Sequence, residues 1–415
     1  LGDAMQLPSE AADVLDRDEL ASLDAEGLLE VGSPTRVESG PGSLSRLGHW
    51  ARQLGGHNLF LVTDAGLREA GHEQRVLGYL KEAGFDADRV AVFDEVTPNP
   101  TTRDVACALG IARAHESDLI IGLGGGSSMD CAKGVNFLLT NGGQIEDYQG
   151  VGKAHSPMLP MIAVPTTAGT GSEAQSFALI ADATTHMKMA CGDKKAACRV
   201  AILDPELTLT MPSAVTAATG IDAISHALET AVTTRRNPMS SRFSLEAWTR
   251  LAEAFPKVIA QPGDLAARQE MLYGAHLAGA AIENSMLGAA HALANPLSAH
   301  YGMTHGVAIG LVLPHVIRFN HEAVGDVYAE LIAAVGLEPL GNETSGETLA
   351  VVVEGMRSDA GLPATLAECD IRDDLLDQLA AEAFDQWTGK FNPRPVSAET
   401  LKGLYQCASP RTESC

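Results

Sequence analysis

The stretch DLIIGLGGGSSMDCAKGVNFLL, residues 118–139, decides the fold. It opens as a short apolar run, passes through three consecutive glycines, and continues with helical spacing. Strand, glycine turn, helix is the start of a βαβ unit. Glycines let a backbone come close to a phosphate, and a helix N-terminus offers free N–H groups with partial positive charge. Ser127 and Asp130 stand at capping-box spacing and predict the helix start. The Lys-Ser/Thr ending of a P-loop is absent, and the glycines are consecutive rather than spaced as G-x-G-x-x-G. Taken alone, three glycines after a strand are more often a tight turn than a phosphate site.

Outward from this stretch the same alternation repeats. NLFLVTD (58–64) and RVAVFDEV (89–96) read as strands, each followed by a helical pattern. TPNPTTRDVACALGIARAH (97–115) opens a helix after a proline turn. MLPMIAVPTTAGTGSE (158–173) is a strand running into a second glycine-bearing loop, whose hydroxyls at Thr166, Thr167, Thr170 and Ser172 can bind pyrophosphate or ribose. Two such loops at the carboxyl ends of parallel strands suit a nucleotide crevice. Asp64, ending the first strand, reads on its own as a helix cap. After RVAILDPELTLTMP (199–212) the pattern becomes one helical stretch after another. The expected organisation is an acidic extension over 1–33, with one short helix, an α/β nucleotide-binding domain over 34–211, and an all-α domain over 212–415. The boundary falls near 211–213, where Pro212 starts a helix.

The helical part holds the candidate metal ligands. GIDAISHALE (220–229) places Asp222 and His226 four residues apart, on one helix face. HALANPLSAHYGMTHG (291–306) adds His291 and His305. One carboxylate and three imidazoles suit a borderline divalent ion such as Fe(II), Zn(II), Co(II) or Mn(II). Each element also has a plainer reading: an Asp/His pair at i,i+4 is usually a surface interaction, and a histidine on an apolar helix is usually a core residue. His300, nine residues past His291, falls on the opposite side of a continuous helix, unless Pro296 bends the register. Asn295 shares the His291 face. His315 reads as structural.

Composition narrows the function. With 415 residues the chain is long enough for two domains, and 53 acidic against 29 basic residues give a net charge of −24. That balance argues against nucleic acid and against an anionic membrane surface. An anionic substrate would need a local positive centre such as a metal. Seven widely spaced cysteines without a CxxC do not form a disulfide framework, which points to a reducing cytoplasm. The N-terminal stretch lacks the layout of a signal peptide, and no apolar run approaches a membrane span.

GGGSSMDCAK, PTTAGTGSE, GIDAISHALE, HALANPLSAHYGMTHGVA and NPRPVSAETLKGLY (392–405) together resemble the iron-containing, or group III, alcohol dehydrogenases in order and spacing, from about residue 34 to 407. The resemblance implies an α/β dinucleotide-binding domain, an all-α domain, and one divalent metal, Fe(II) or Zn(II), in the cleft between them. It carries the metal ligands onto Asp222, His226, His291 and His305. It carries the cofactor contacts onto Gly125, Gly126, Ser127, Thr166, Thr167 and Thr170, with Asp64 near the adenosine ribose, Asn99 near the cofactor and Lys188 reaching the ribose. Lys188 is otherwise an exposed strand lysine. The implied reaction is reversible hydride transfer between a small alcohol, diol or hydroxy acid and NAD, with the alcohol oxygen on the metal. NAD is expected over NADP because the Asp64 carboxylate repels a 2′-phosphate. Relatives often form dimers or larger assemblies, so a homo-oligomer is expected.

Asn295 departs from the pattern, since many members carry a second histidine there that is thought to pass the substrate proton to solvent. An amide does not titrate near neutrality. It can orient a hydroxyl or a water without taking the proton. Three alternatives compete with the dehydrogenase. A dehydroquinate-synthase-like lyase uses NAD transiently, but its phosphate-bearing substrate calls for basic residues in which the metal-site segments are poor. A hydroxyacid–oxoacid transhydrogenase would keep its NAD bound. A non-enzymatic nucleotide-binding relic has no reason to keep four ligands.

Overall fold

The computed structural model describes residues 25–409, apart from 186 and 340; most of the expected acidic extension, and Cys415, lie outside the described residues. Its strands are β1 (Arg36–Ser39), β2 (Leu59–Val62), β3 (Val90–Phe93), β4 (Leu119–Gly124), β5 (Gly150–Val151), β6 (Met161–Pro165), β7 (Phe177–Ala181), β8 (Lys188–Gly192) and β9 (Val200–Leu203). Six of them form a parallel sheet in the order β1-β9-β6-β4-β2-β3. The strands are apolar runs because both faces of this sheet are covered. Phe60, Val62, Ile120 and Ala163 face one core, while Leu59, Leu61, Ile121 and Val164 face another. The helices that follow α1 (Ala25–Gly32) supply the cover. From α2 (Leu47–Gln53) come Leu47 and Ala51, and past the short α3 (Ala65–Glu69), α4 (His72–Glu82) gives Val76 and Leu80 to the second core. Onto the first face pack α5 (Thr102–Ala114), through Val105 and Ala108, and α6 (Gly126–Asn141), through Met129 and Val135.

Strand order creates the crevice. From β2 the chain steps outward to β3, then crosses back to β4 on the other side of β2. The carboxyl ends of β2 and β4 therefore lie side by side at a topological switch point, where ligands bind in open α/β sheets. The register pairs Val62 with Gly122, so Asp64 and the glycines of 124–126 leave the sheet next to one another. Sixty residues of sequence separate them.

A smaller sheet, β5-β8-β7, is attached to the first half; β7 and β8 are antiparallel. The sequence pattern did not resolve β5 or β7, whose residues are too few or too uniformly apolar to alternate clearly.

The second half contains α7 (Ser213–Val232), α8 (Pro238–Ala260), α9 (Leu265–Glu283), α10 (Ala289–Tyr301), α11 (His305–Ala334), α12 (Ser345–Asp359), α13 (Leu376–Asp385) and α14 (Ala398–Ala408). α7 is buried almost throughout, so nearly every polar side chain on it needs a partner. Leu28 and Leu29 of α1 join this helical core rather than the sheet. No helix among the described residues is long and apolar enough to cross a membrane.

Candidate metal and nucleotide centre

Asp222 and His226 lie on the same face of α7, and both are buried. Two helix starts bring the remaining imidazoles to them. His291 comes early in α10, and His305 is the first residue of α11. The next residue, Gly306, lets α11 touch α7 backbone to backbone: a Cβ there would lie 1.8 Å from the Ala218 carbonyl oxygen. No other residue fits, and the contact falls one turn before Asp222. The Nε2 atoms of His226, His291 and His305 then stand 3.5, 3.7 and 3.8 Å from Asp222 Oδ1. These separations are too long for hydrogen bonds. Ligands held about 2.1 Å from one ion stand roughly 3.4 Å apart at tetrahedral angles; Asp222, His226 and His291 offer ligand atoms all within 4.8 Å of one another, and His305 stands near Asp222 but outside that mutual set. Asp222 Oδ1 and His291 Nε2 are buried without a hydrogen-bond partner among the described residues. Leaving such atoms unsatisfied costs about 1–3 kcal/mol each, and a divalent cation would satisfy both.

The electrostatics agree with that fit. Burial opposes the charge on Asp222, but His226, His291 and His305 outweigh it and hold the carboxyl well below its usual range. Burial also opposes charge on His291, yet Glu229 and Asp222 push that imidazole up to about 9. The negative field that draws a proton to this ring equally draws a cation. Burial pushes His226 down, and His305 down to about 3, so both are neutral donors at physiological pH.

Glu229 was not singled out from the sequence. Its carboxylate accepts from His291 Nδ1 and, through Oε1, from the Ala290 N–H at 2.7 Å. It thereby fixes the tautomer that leaves Nε2 free for an ion. The signal was present: Asp222, His226 and Glu229 fall at i, i+4 and i+7, a stripe of ionisable groups on a helix whose other side chains are apolar or hydroxyl-bearing.

The nucleotide side needs one correction. Ser127 and Asp130 do not form a capping box. Gly125 is the N-cap of α6, without a side-chain cap, so the first N–H groups of that helix stay free. Ser127 Oγ instead accepts from the Asn99 N–H at 3.2 Å, and Asn99 takes a left-handed φ of 56° to reach it. Asp130 accepts from Ser172 Oγ at 2.9 Å. A capped helix start would compete with an anionic ligand for those N–H groups.

The threonine loop lies over the glycine loop. A Cβ on Gly125 would come within 3.2 Å of Thr167 Oγ1, and one on Gly126 within 2.9 Å of Thr170 Cγ2. The Thr166 N–H donates to the Gly124 carbonyl at 3.0 Å. Fully buried Lys133 pins the loop from below, donating to Ser172 O, Ser172 Oγ and Phe177 O at 2.6, 2.9 and 2.9 Å. Burial pushes the neighbouring Asp130 carboxyl up to about 6, against the Lys133 charge. On the helical side the loop meets α7 and α9. Gly169 abuts Thr219, three residues before Asp222, and Glu173 pairs with buried His276 at 3.1 Å. The threonine loop thus packs between the glycine loop and the helix that carries Asp222 and His226.

Asp64 sits in the turn after β2, where Oδ1 accepts from the Leu67 N–H at 3.1 Å and caps α3. Lys188 starts β8 and is exposed. Protein crowding still lowers its pKa, against the charges of Asp130 and Asp222. Asn295 Nδ2 donates to Gln386 Oε1 at 3.0 Å. His300 lies away from the cluster, as its helical phase predicts; its Nε2 meets Glu382 Oε2 at 2.6 Å. Pro296 does not end α10. His315 lies among Arg318, Glu354, Arg357 and Glu347.

Residues 34–205 match the family described as iron-containing alcohol dehydrogenase, and residues 216–409 match the C-terminal part of the Fe-containing alcohol dehydrogenase family. The chain belongs to the iron-containing alcohol dehydrogenases. It is 34% identical over 371 residues to the NAD-dependent methanol dehydrogenase of Bacillus methanolicus, covering 89% of this chain and 97% of that protein. It is 34% identical over 373 residues to the 1,3-propanediol dehydrogenase of Klebsiella pneumoniae, covering 89% and 96%. Among solved structures, a 1,3-propanediol oxidoreductase overlays with a TM-score of 0.87 at 33% identity, covering 91% of this chain and 98% of that one. The two-part architecture is therefore that of the iron-containing alcohol dehydrogenases, and the enzyme class is oxidoreductase.

Proposed function

We propose that this iron-containing alcohol dehydrogenase oxidises small alcohols reversibly with NAD, on one divalent ion held by Asp222, His226, His291 and His305. The observation that carries the proposal is the convergence of three Nε2 atoms on a buried carboxylate beside the two nucleotide loops. A bound ion supplies Lewis acidity, lowering the pKa of an alcohol oxygen and polarising a carbonyl. Iron is the family's metal; the same ligands accept zinc.

The protein's own residues orient and enclose. Residues 34–211 carry the nucleotide side and 212–415 the metal side. Free N–H groups at the start of α6, with Thr166, Thr167 and Thr170 above them, suit a pyrophosphate. Asp64 keeps Oδ2 for ribose hydroxyls, which favours NAD over NADP. Asn99 and Ser127 shape the same rim, and Lys188 lies within reach of a ribose. Asn295, its N–H committed to Gln386, offers its carbonyl oxygen to a substrate hydroxyl without accepting the proton. The proton leaves through water or a ribose hydroxyl. Substrates named for relatives, methanol, 1,3-propanediol and lactaldehyde, suggest short primary alcohols, diols or their aldehydes. We also propose a homo-oligomer, as the sequence resemblance implies.

The test is NAD reduction across short primary alcohols, diols and hydroxy acids, with metal content measured on the same sample. Steady NADH production that stops on chelation and returns with Fe(II) or Zn(II) is expected. Full activity of metal-free protein would remove the proposed centre. NAD that is never released would favour a transhydrogenase, and substrate conversion without net NADH would favour a lyase.

A further inference from the structure

Residues 386–392 run beside α10, following the turn that carries His291. Asn392 Oδ1 accepts from the Ala289 N–H at 3.3 Å. Gly389 packs on Ala292, where a Cβ would lie 3.3 Å from the alanine methyl. Gln386 accepts from Asn295 at 3.0 Å. These contacts at 289, 292 and 295 bracket His291.

Trp387, next to Gln386, reaches to the other half of the molecule. Its indole stacks on Phe177, with ring centroids 6.1 Å apart and planes at 28°. Phe391 meets it edge-on at 6.3 Å. Phe177 is the first residue of β7, and alternation along that strand puts Phe177 and Leu179 on one face. The register sets Ala190 opposite Leu179 and Lys188 opposite Ala181 on that same face. The Phe177 carbonyl accepts from Lys133, which also holds Ser172 of the threonine loop, so the start of β7 adjoins that loop. Trp387 remains 38% exposed and Leu179 41% exposed, which is more than a residue of the core would be. The partly exposed indole, braced from the opposite half of the protein, thus bridges the two halves one residue from the partner of Asn295.

We propose that Trp387, supported by Phe177, is the specificity-determining residue that limits the length of the alcohol's carbon chain; this rests on the dehydrogenase reading above. The space between the hairpin face and the metal ligands takes the hydroxyl end of a short alcohol, and the indole stops further methylenes. Removing the indole opens apolar surface for them. Each methylene newly buried contributes roughly fourfold in binding, so two are enough for a tenfold change.

The experiment compares kcat/KM for ethanol, 1-propanol, 1-butanol and 1-hexanol, using metal-loaded enzyme and NAD. In the wild type the values fall with chain length. Trp387→Ala raises the 1-hexanol to ethanol ratio at least tenfold, while Trp387→Phe stays within about threefold of wild type. Phe177→Ala removes the brace from the opposite side and shifts the ratio in the same direction, which keeps the test open should Trp387→Ala not fold. A wild type that prefers 1-hexanol overturns the proposal, as does a folded Trp387→Ala or Phe177→Ala enzyme that oxidises ethanol with an unchanged ratio. A wild type that reduces no NAD with any of these alcohols overturns the dehydrogenase reading itself.

Discussion

Single side chains set the charge and orientation of the candidate centre. Glu229 touches no candidate metal position, yet it orients His291 and supplies negative charge beside it. Glu229→Ala should weaken metal affinity about 10–100-fold, in line with other losses of a partner to a ligating histidine. Metal competition with a coloured chelator would measure it, and Glu229→Gln, which keeps an acceptor, should lose less. Asn295 is the other residue at this scale. Asn295→His places a group that titrates near neutrality one turn from His291. The kcat against pH profile should then gain an inflection between about pH 6 and 8 that the wild type lacks; superimposable profiles would show that the position carries no proton. His300 and His315 are equally histidines on helices, and neither reaches the cluster, so residue type alone does not make a ligand.

At the scale of elements, close backbone approaches join the two halves. Gly171 and Gly279 meet where the threonine loop crosses α9; a Cβ on Gly279 would lie 2.3 Å from the Gly171 carbonyl oxygen. Gly171 also has a φ of 59°, which a side chain would strain. Gly279→Ala should push the loop off the helix at a cost of about 1–3 kcal/mol. The expected outcome is a lowered Tm together with a several-fold higher KM for NAD, while metal content stays at the wild-type level. Loss of metal with an unchanged KM would place the contact in the helical half alone. The strands β2, β4, β6 and β9 and the long helices were legible in the sequence because they are continuous apolar runs or keep one period over many residues. The hairpin of β7 and β8 was legible only at Lys188, read as a strand lysine; β7 was not. β7 has five residues, all apolar, so it shows no alternation of apolar and polar residues.

Across the whole molecule, stability should depend on pH through buried bases as well as carboxylates. Burial, reinforced by Arg318 and Arg357 and opposed by Glu354 and Glu347, pushes the His315 imidazole down to about 4. The folded chain keeps it neutral while the unfolded chain protonates it near 6.5. Its contribution is therefore intact above pH 6.5 and is lost as pH falls toward 4, by about 1.4 kcal/mol per unit. His315→Gln should show a shallower acid limb in urea titrations between pH 7 and 4, on the order of 2–3 kcal/mol less lost; parallel limbs would place the imidazole in solvent. The acidic net charge of −24 adds a uniform effect, which cancels when the variant is compared with wild type.

The sequence by itself determined the class of fold and the family, and it put forward four residues to share an ion, three of which the fold brings within 4.8 Å of one another. Those depend on local period and on motif spacing, which survive in one dimension. It gave no account of Glu229, Lys133, Gln386 or Trp387, although the first two lie inside motifs it did read. It also suggested a cap where the structure leaves the start of α6 open. Only the tertiary structure decided these, because the partner of each is far away in the chain: α10 for Glu229, the threonine loop for Lys133, Asn295 for Gln386 and Phe177 for Trp387. A buried polar group is defined by what surrounds it. Those surroundings exist only after β2 and β4 have paired and α11 has closed on α7.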